Sequence, residues 1–139
     1  MPITAEHVGT TFPEPPPYEV SRAKIAEFAR ALGDDNPAYT ADAPVAPPTF
    51  AAVIAAQAWG SLFDDPELGL SLRRTIHAEQ RFTFHRPLRP GDRCLARPTI
   101  EQVRTRGPLD VVTVLVEIVV DDDVVCEARS TLMHNREEA

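Results

Sequence analysis

Residues Ala46–Phe63 read APPTFAAVIAAQAWGSLF, and from Phe50 to Trp59 the only polar side chain is Gln57. Ala51, Ala52, Val53, Ile54, Ala55, Ala56 and Ala58 cover every direction of a helical wheel, which predicts a helix buried on all sides. Pro48 suits a first helical turn, where its missing N–H costs nothing, and Gly60-Ser61 predicts an end after about three turns. The segment is too short and too proline-flanked to span a bilayer. Its alanines let neighbours approach closely, as a sheet curled around the helix would.

Downstream of this helix the apolar period falls to two. In Ile76–Phe84 the positions Ile76, Ala78, Gln80, Phe82 and Phe84 predict the buried face, and His77, Glu79, Arg81, Thr83 and then His85 the other. Pro87–Asp92 turns the chain into Cys94–Val103, where Pro98 predicts an edge or a bulge. Arg104–Asp110 reads as a loop around Gly107-Pro108. Val111–Val120 is the strongest strand, with β-branched residues at every even position. Asp121-Asp122-Asp123 makes a turn, Val124–His134 the last strand, and Asn135–Ala139 a frayed tail. Upstream, the prolines at 13, 15, 16 and 17 extend Met1–Val20, which ends in a short strand at Tyr18–Val20. Ser21 caps a helix whose Ile25, Phe28, Ala29 and Leu32 form one buried stripe, and Gly33 closes it. Asp34–Tyr39 is then a turn by composition.

The fold class read from this order is α+β, one helix enclosed by an antiparallel sheet, as a single domain over 1–139. A hydrophobic content of 43% excludes a disordered chain. A net charge of −7, without a dense basic cluster, argues against nucleic acid. Thirteen arginines against the single Lys24 leave room for one anionic ligand, with Arg73, Arg74, Arg86 and Arg89 as candidate phosphate contacts. Cys94 and Cys126 lack the spacing of a metal or redox motif and read as buried free thiols, and no metal site is expected. The N-terminus lacks a basic and an apolar signal region, which predicts a cytoplasmic protein.

Three ordered stretches carry a resemblance. Gly33-Asp34-Asp35-Asn36-Pro37-Ala38-Tyr39, then Ala46–Phe50, then His77–Phe82 with His85–Asp92 resemble the MaoC-like family of (R)-specific hydratases and dehydratases, over about Tyr18 to Met133. The likeness is strongest to the branch with the substrate-binding subunits of mycobacterial (3R)-hydroxyacyl-carrier-protein dehydratases. It implies a hotdog fold, a long central helix wrapped by an antiparallel sheet. The family's catalytic pattern, Asp-x-Asn-Pro-x-His, falls here on Asp34, Asn36 and, at the histidine position, Tyr39. Histidine can take and return a proton near neutrality, whereas phenols as a class ionise near pH 10. The resemblance thus implies a degenerate catalytic loop, with Tyr39 as a packing or hydrogen-bonding residue.

In the same branch a subunit without the pair joins a second hotdog subunit that carries it, and contributes an acyl channel. The implied partners are a homodimeric or heterodimeric hotdog mate bearing an intact Asp/His pair, and an acyl group on CoA or acyl carrier protein. No cofactor and no membrane are expected. His77, Glu79, Gln80, Phe50 and Gln57 are the candidate substrate-binding residues, His77 and Glu79 on one strand face as a second polar cluster. Solvated or interface residues of a half-buried strand are the competing reading of that face. The alternative function is a non-catalytic hotdog module that binds acyl thioesters or scaffolds a partner. A hotdog thioesterase is disfavoured because Phe50–Phe63 carries no carboxylate.

Overall fold

Alternating β-branched residues build the centre of the sheet. In β4, Leu109–Val120, the side chains of Val112, Val114, Val116 and Ile118 are all 0% exposed, each burial stabilising by about 1.5–3 kcal/mol. In the computed structural model, which describes residues 2–136, this strand lies third in a five-stranded antiparallel sheet. The others are β1 Tyr18–Glu19, β2 Thr75–Phe84, β3 Arg93–Arg106 and β5 Asp123–Asn135, and the order across the sheet is β1-β3-β4-β5-β2. Among the described residues strand β2 therefore forms one lateral edge, paired only to β5.

Both long hairpins are tighter than the sequence predicts. Residues 104–110, expected as a loop, mostly extend the ladder: Arg106 pairs Leu109 across Gly107-Pro108, with Gly107 at φ 58. Arg104, Thr105 and Asp110 look loop-like in the sequence because charge and Pro outweigh a pairing that only tertiary register supplies. The second turn narrows to Asp121 and Asp122, both at positive φ, the backbone a two-residue hairpin demands. The tail begins later than expected, since Asn135 still belongs to β5; residues 137–139 lie outside the described residues. Pro98 sits on β3 where β1 no longer covers the edge, while the bulge falls between Ile100 and Gln102.

The first long helix, α1 Arg22–Leu32, follows its caps: the Ser21 side chain accepts from the Lys24 N–H, and Gly33 takes the left-handed conformation at φ 69. Ile25 and Ala29 are buried and Phe28 half-buried, but Leu32 is 50% exposed, so the stripe fades at its C-terminal end.

The central helix departs from the expectation in two ways. Gly60 does not end it. Pro48–Phe50 forms a 3₁₀ turn, α2 runs Ala51–Gln57, the path tightens at Ala58-Trp59, and α3 Gly60–Phe63 resumes it. Nor is it buried all round. Ala51, Ile54, Ala55, Ala58 and Leu62 are buried and α2 packs on β3, β4 and β5, yet Ala56 and Gln57 are exposed. Five strands curl over one side of the helix only. The apolar flank left open is the reason that a wheel without polar residues overstates its burial within one chain.

Candidate functional site

The loop after α1 is built from its own side chains. Asp34 Oδ1 accepts from the Asn36 N–H at 3.0 Å, and Asn36 Oδ1 accepts from the Ala38 N–H at 3.0 Å. Pro37 opens a 3₁₀ turn that ends at Tyr39. Asp34, Asp35 and Asn36 are exposed, whereas Tyr39 is buried. Asp34, Asn36 and Tyr39 do line one hollow of about 670 Å³, together with Ala26, Ala29 and Arg30 of α1. The three candidates of the degenerate pattern are thus brought together. One carboxylate oxygen of Asp34 already serves the loop backbone, and Tyr39 makes no side-chain hydrogen bond with the described residues.

Phe50 and Gln57 fall on the other side of α1. They line a groove of about 410 Å³ with Tyr18, Phe28 and Val53, lipped by the exposed Lys24–Glu27 ion pair at 3.1 Å. Phe50 is the aromatic floor, edge-on to Phe28 at 5.3 Å and to Tyr18 at 5.9 Å between centroids.

On β2 the expected alternation breaks. The pairing shifts between His77 and Glu79, so Ala78 is an inserted residue. His77 pairs across to Leu132 and Gln80 to Ser130, both buried inward-facing residues of β5. His77 therefore joins Gln80, Phe82 and Phe84 on the inner face, while Ile76, expected inside, is 67% exposed. The expected pairing of His77 with Glu79 on one face is wrong for this reason. Glu79 instead binds Arg81 at 2.7 Å on the outer face, in a charged patch with Glu101, Arg104 and Arg129.

A short polar chain holds His77. Gln80 Nε2 donates to the Arg81 carbonyl at 3.3 Å, which orients the amide. Gln80 Oε1 then accepts from Ser130 Oγ at 2.6 Å and from His77 Nε2 at 3.0 Å. This fixes the imidazole with its hydrogen on Nε2. The ring stands edge-on to Trp59, 4.9 Å between centroids. Gln80, expected as a buried amide, is only half-buried; it still finds partners, and one of them, Ser130, is 0% exposed. Neither Ser130 nor Trp59 is among the residues that the sequence reading selects. The polar residue in the inward series Cys126, Ala128, Ser130, Leu132 is the signal for the first.

The arginines divide. Arg86 grips Asp92 through two hydrogen bonds of 2.8 and 3.1 Å, a contact that raises its pKa, and Asp92 also accepts from the Arg89 N–H. Arg86 braces the turn before β3 and is not available as a phosphate contact. Arg74 donates to the Arg136 carbonyl, whereas Arg73 and the side chain of Arg89 have no partner among the described residues. Both thiols are free and buried, and burial pushes each up to about 12. Among the described residues no group of three or more His, Cys, Asp or Glu side chains is placed to hold a metal ion, and no helix is long and apolar enough to cross a membrane.

Comparison with known proteins agrees with this fold. The family profile described as FAS1-like, dehydratase domain region, matches residues 6–128. The chain belongs to that family, of MaoC-like hotdog dehydratases. A UPF0336 protein of Cutibacterium acnes is 48% identical over 139 residues, covering 99% of this chain and 98% of its own. A chain of the C-terminally truncated HadBC (3R-hydroxyacyl-ACP dehydratase) complex of Mycobacterium tuberculosis superposes with a TM-score of 0.80 at 33% identity, over 91% of this chain and 96% of that one. The MaoC-like dehydratase of Rhodospirillum rubrum, at 20% identity and a TM-score of 0.71 over 95% and 94%, shares the fold. The curled sheet and central helix of this MaoC-like chain are thus the hotdog arrangement.

Proposed function

We propose that this MaoC-like chain is the acyl-binding subunit of a (3R)-hydroxyacyl-thioester dehydratase or (R)-specific enoyl hydratase, and works beside a second hotdog subunit that bears an intact Asp/His pair. The observation that carries the reading is Tyr39. It occupies the histidine position of the catalytic loop, buried, beside an Asp34 carboxylate already engaged by the Asn36 N–H.

Dehydration removes a proton from C2 of the thioester and expels the C3 hydroxyl as water, so a group must accept one proton and deliver another. The Asp34–Tyr39 loop contains no imidazole to do both. What the chain offers is apolar surface. The groove floored by Phe50 and edged by Val53 and Gln57 suits a saturated acyl segment, with Gln57 and the Tyr18 phenol as its uncharged polar groups. The thioester is carried on CoA or acyl carrier protein, and no cofactor takes part. The HadBC likeness supports an assembly of two unlike hotdog subunits, and the open flank at Ala56 together with edge strand β2 is the surface such a mate would cover. His77 and Gln80 stand at that edge as polar contacts for the thioester end.

The test is turnover of an enoyl thioester by three preparations: the pure chain, its Tyr39→His variant, and the chain mixed with an Asp/His-bearing hotdog subunit. Acid–base help is worth about 10²–10⁴-fold, so the pure chain is expected near background and the mixture well above the partner alone. Robust turnover by the pure chain, abolished by Asp34→Ala, would refute the division of labour. Binding without any gain in the mixture would favour the non-catalytic acyl-binding module.

A further inference from the structure

One polar cluster takes no part in that reading. It lies at the end of the inner face beneath the connection from α3 to β2, where His134 of β5 pairs with Asp110 of β4 on one side and Thr75 of β2 on the other. His134 is 2% exposed and Asp110 1%. The Ser71 N–H donates to His134 Nε2 at 3.1 Å, so that nitrogen is unprotonated and the ring's hydrogen sits on Nδ1. Nδ1 faces Asp110 Oδ2 at 3.8 Å, and Arg136 Nε approaches the same oxygen at 3.3 Å. None of these three atoms completes a hydrogen bond with the described residues. Asp110 Oδ1 accepts from Thr105. A hollow of about 320 Å³, lined by Gly69, Arg74 and Arg136, reaches the ring.

Ser71 is a junction. Its carbonyl accepts from Thr75 Oγ1 at 2.7 Å and from the Arg74 N–H at 3.0 Å, so whatever holds Ser71 also holds the start of the edge strand. We infer that His134 is a proton-operated latch: neutral, it holds Ser71; protonated, it releases the 64–74 connection and frees the first residues of β2.

The physical reason is donor against donor. A protonated imidazole carries hydrogen on both nitrogens, and its Nε2–H would meet the Ser71 N–H head on. Among the described residues the charged groups acting on the ring are Arg74 from the turn before β2, Asp110 from β4 and Arg136 after β5, two cations against one carboxylate. Burial first, and then Arg74, hold the imidazole below its ordinary value. The sign follows. The latch is complete above about pH 6.5, the unfolded value, and weakens as pH falls toward the lowered folded value, with opening rising about tenfold per pH unit between them. Because β2 is the lateral edge and carries His77, release would loosen both that residue and the strand on which another sheet could add. The inference does not depend on the dehydratase reading.

The experiment is hydrogen exchange by mass spectrometry on the whole chain from about pH 7.5 to about pH 5, corrected for the intrinsic pH dependence of exchange. Protection over residues 64–77 is expected to fall about tenfold per unit through the window while 112–118 stays protected. His134→Gln keeps an acceptor for Ser71 but does not titrate, and its protection should be flat. Imidazole ¹⁵N shifts of the wild type give the native His134 midpoint directly, and it must lie below about 6.5, at the pH where the loss of protection levels off. A flat wild-type response, the same pH dependence in His134→Gln, or a native His134 midpoint not below about 6.5 would overturn the latch. Should His134→Gln fail to fold, the two wild-type measurements decide alone.

Discussion

Ala55 and Ala56 are neighbours in the chain and alike in the sequence, yet the fold sets them apart. Ala55 is 0% exposed against the inner face of the sheet, and Ala56 is exposed on the open flank of α2. Leucine at 55 adds three carbons where packing leaves no room, and overpacking of this kind costs about 1–3 kcal/mol. Leucine at 56 extends into free space, where substitutions stay within about 0.5 kcal/mol. With a urea m-value of about 2 kcal/mol/M, Ala55→Leu should lower the midpoint by about 1 M and Ala56→Leu by no more than about a quarter of that, with slopes unchanged. Measured at low protein concentration, equal losses for the two variants would mean that the flank is closed within one chain and would refute the described burial. A loss for Ala56→Leu that grows with protein concentration would instead locate a mate on that flank, since only an associated state can feel the added bulk.

Two further outcomes follow from the brace and the thiols. Arg86→Met should destabilise by about 1–3 kcal/mol in urea unfolding, because it strips two hydrogen bonds from the Asp92 carboxylate and leaves only the Arg89 N–H; Asp92→Asn, which keeps an acceptor, should cost less. At pH 8, Cys94 and Cys126, each pushed up to about 12 by burial, should resist alkylation in the native protein and react together once urea unfolds it, as followed by intact mass.

Local chemistry makes the framework legible. Ser21 and Gly33 bound α1 because a side-chain acceptor and a left-handed backbone are needs of single residues. The even positions of β4 are buried as their spacing predicts, because one strand between two others has both edges satisfied and only its faces to distribute. The errors arise where a residue's surroundings come from elsewhere in the chain. Nothing near Ala78 announces an insertion, which becomes visible only once β5 supplies the pairing, and one extra residue is enough to exchange His77 for Ile76 on the inner face. Alanine in α2 tells that neighbours come close without telling on which sides.

The candidate site divides along the same line. Asp34, Asn36 and Tyr39 are legible together because six consecutive residues fold on themselves through hydrogen bonds two residues apart. His77, Gln80 and Ser130 cannot be read as one group from sequence, since Ser130 is fifty residues from Gln80 and meets it only across the β2–β5 ladder. His134 is a harder case: its position in the inward series of β5 is legible, but its role rests on a backbone N–H sixty-three residues away. A polar residue at an inward-facing strand position is therefore the part of a sequence most worth questioning. Burial obliges it to find a partner, and in this chain the buried Ser130 and His134, and the half-buried Gln80, each find one in a segment distant along the chain. The partners, rather than the residues themselves, decide whether such a group tightens the core, orients an imidazole or holds a connection that a proton can release.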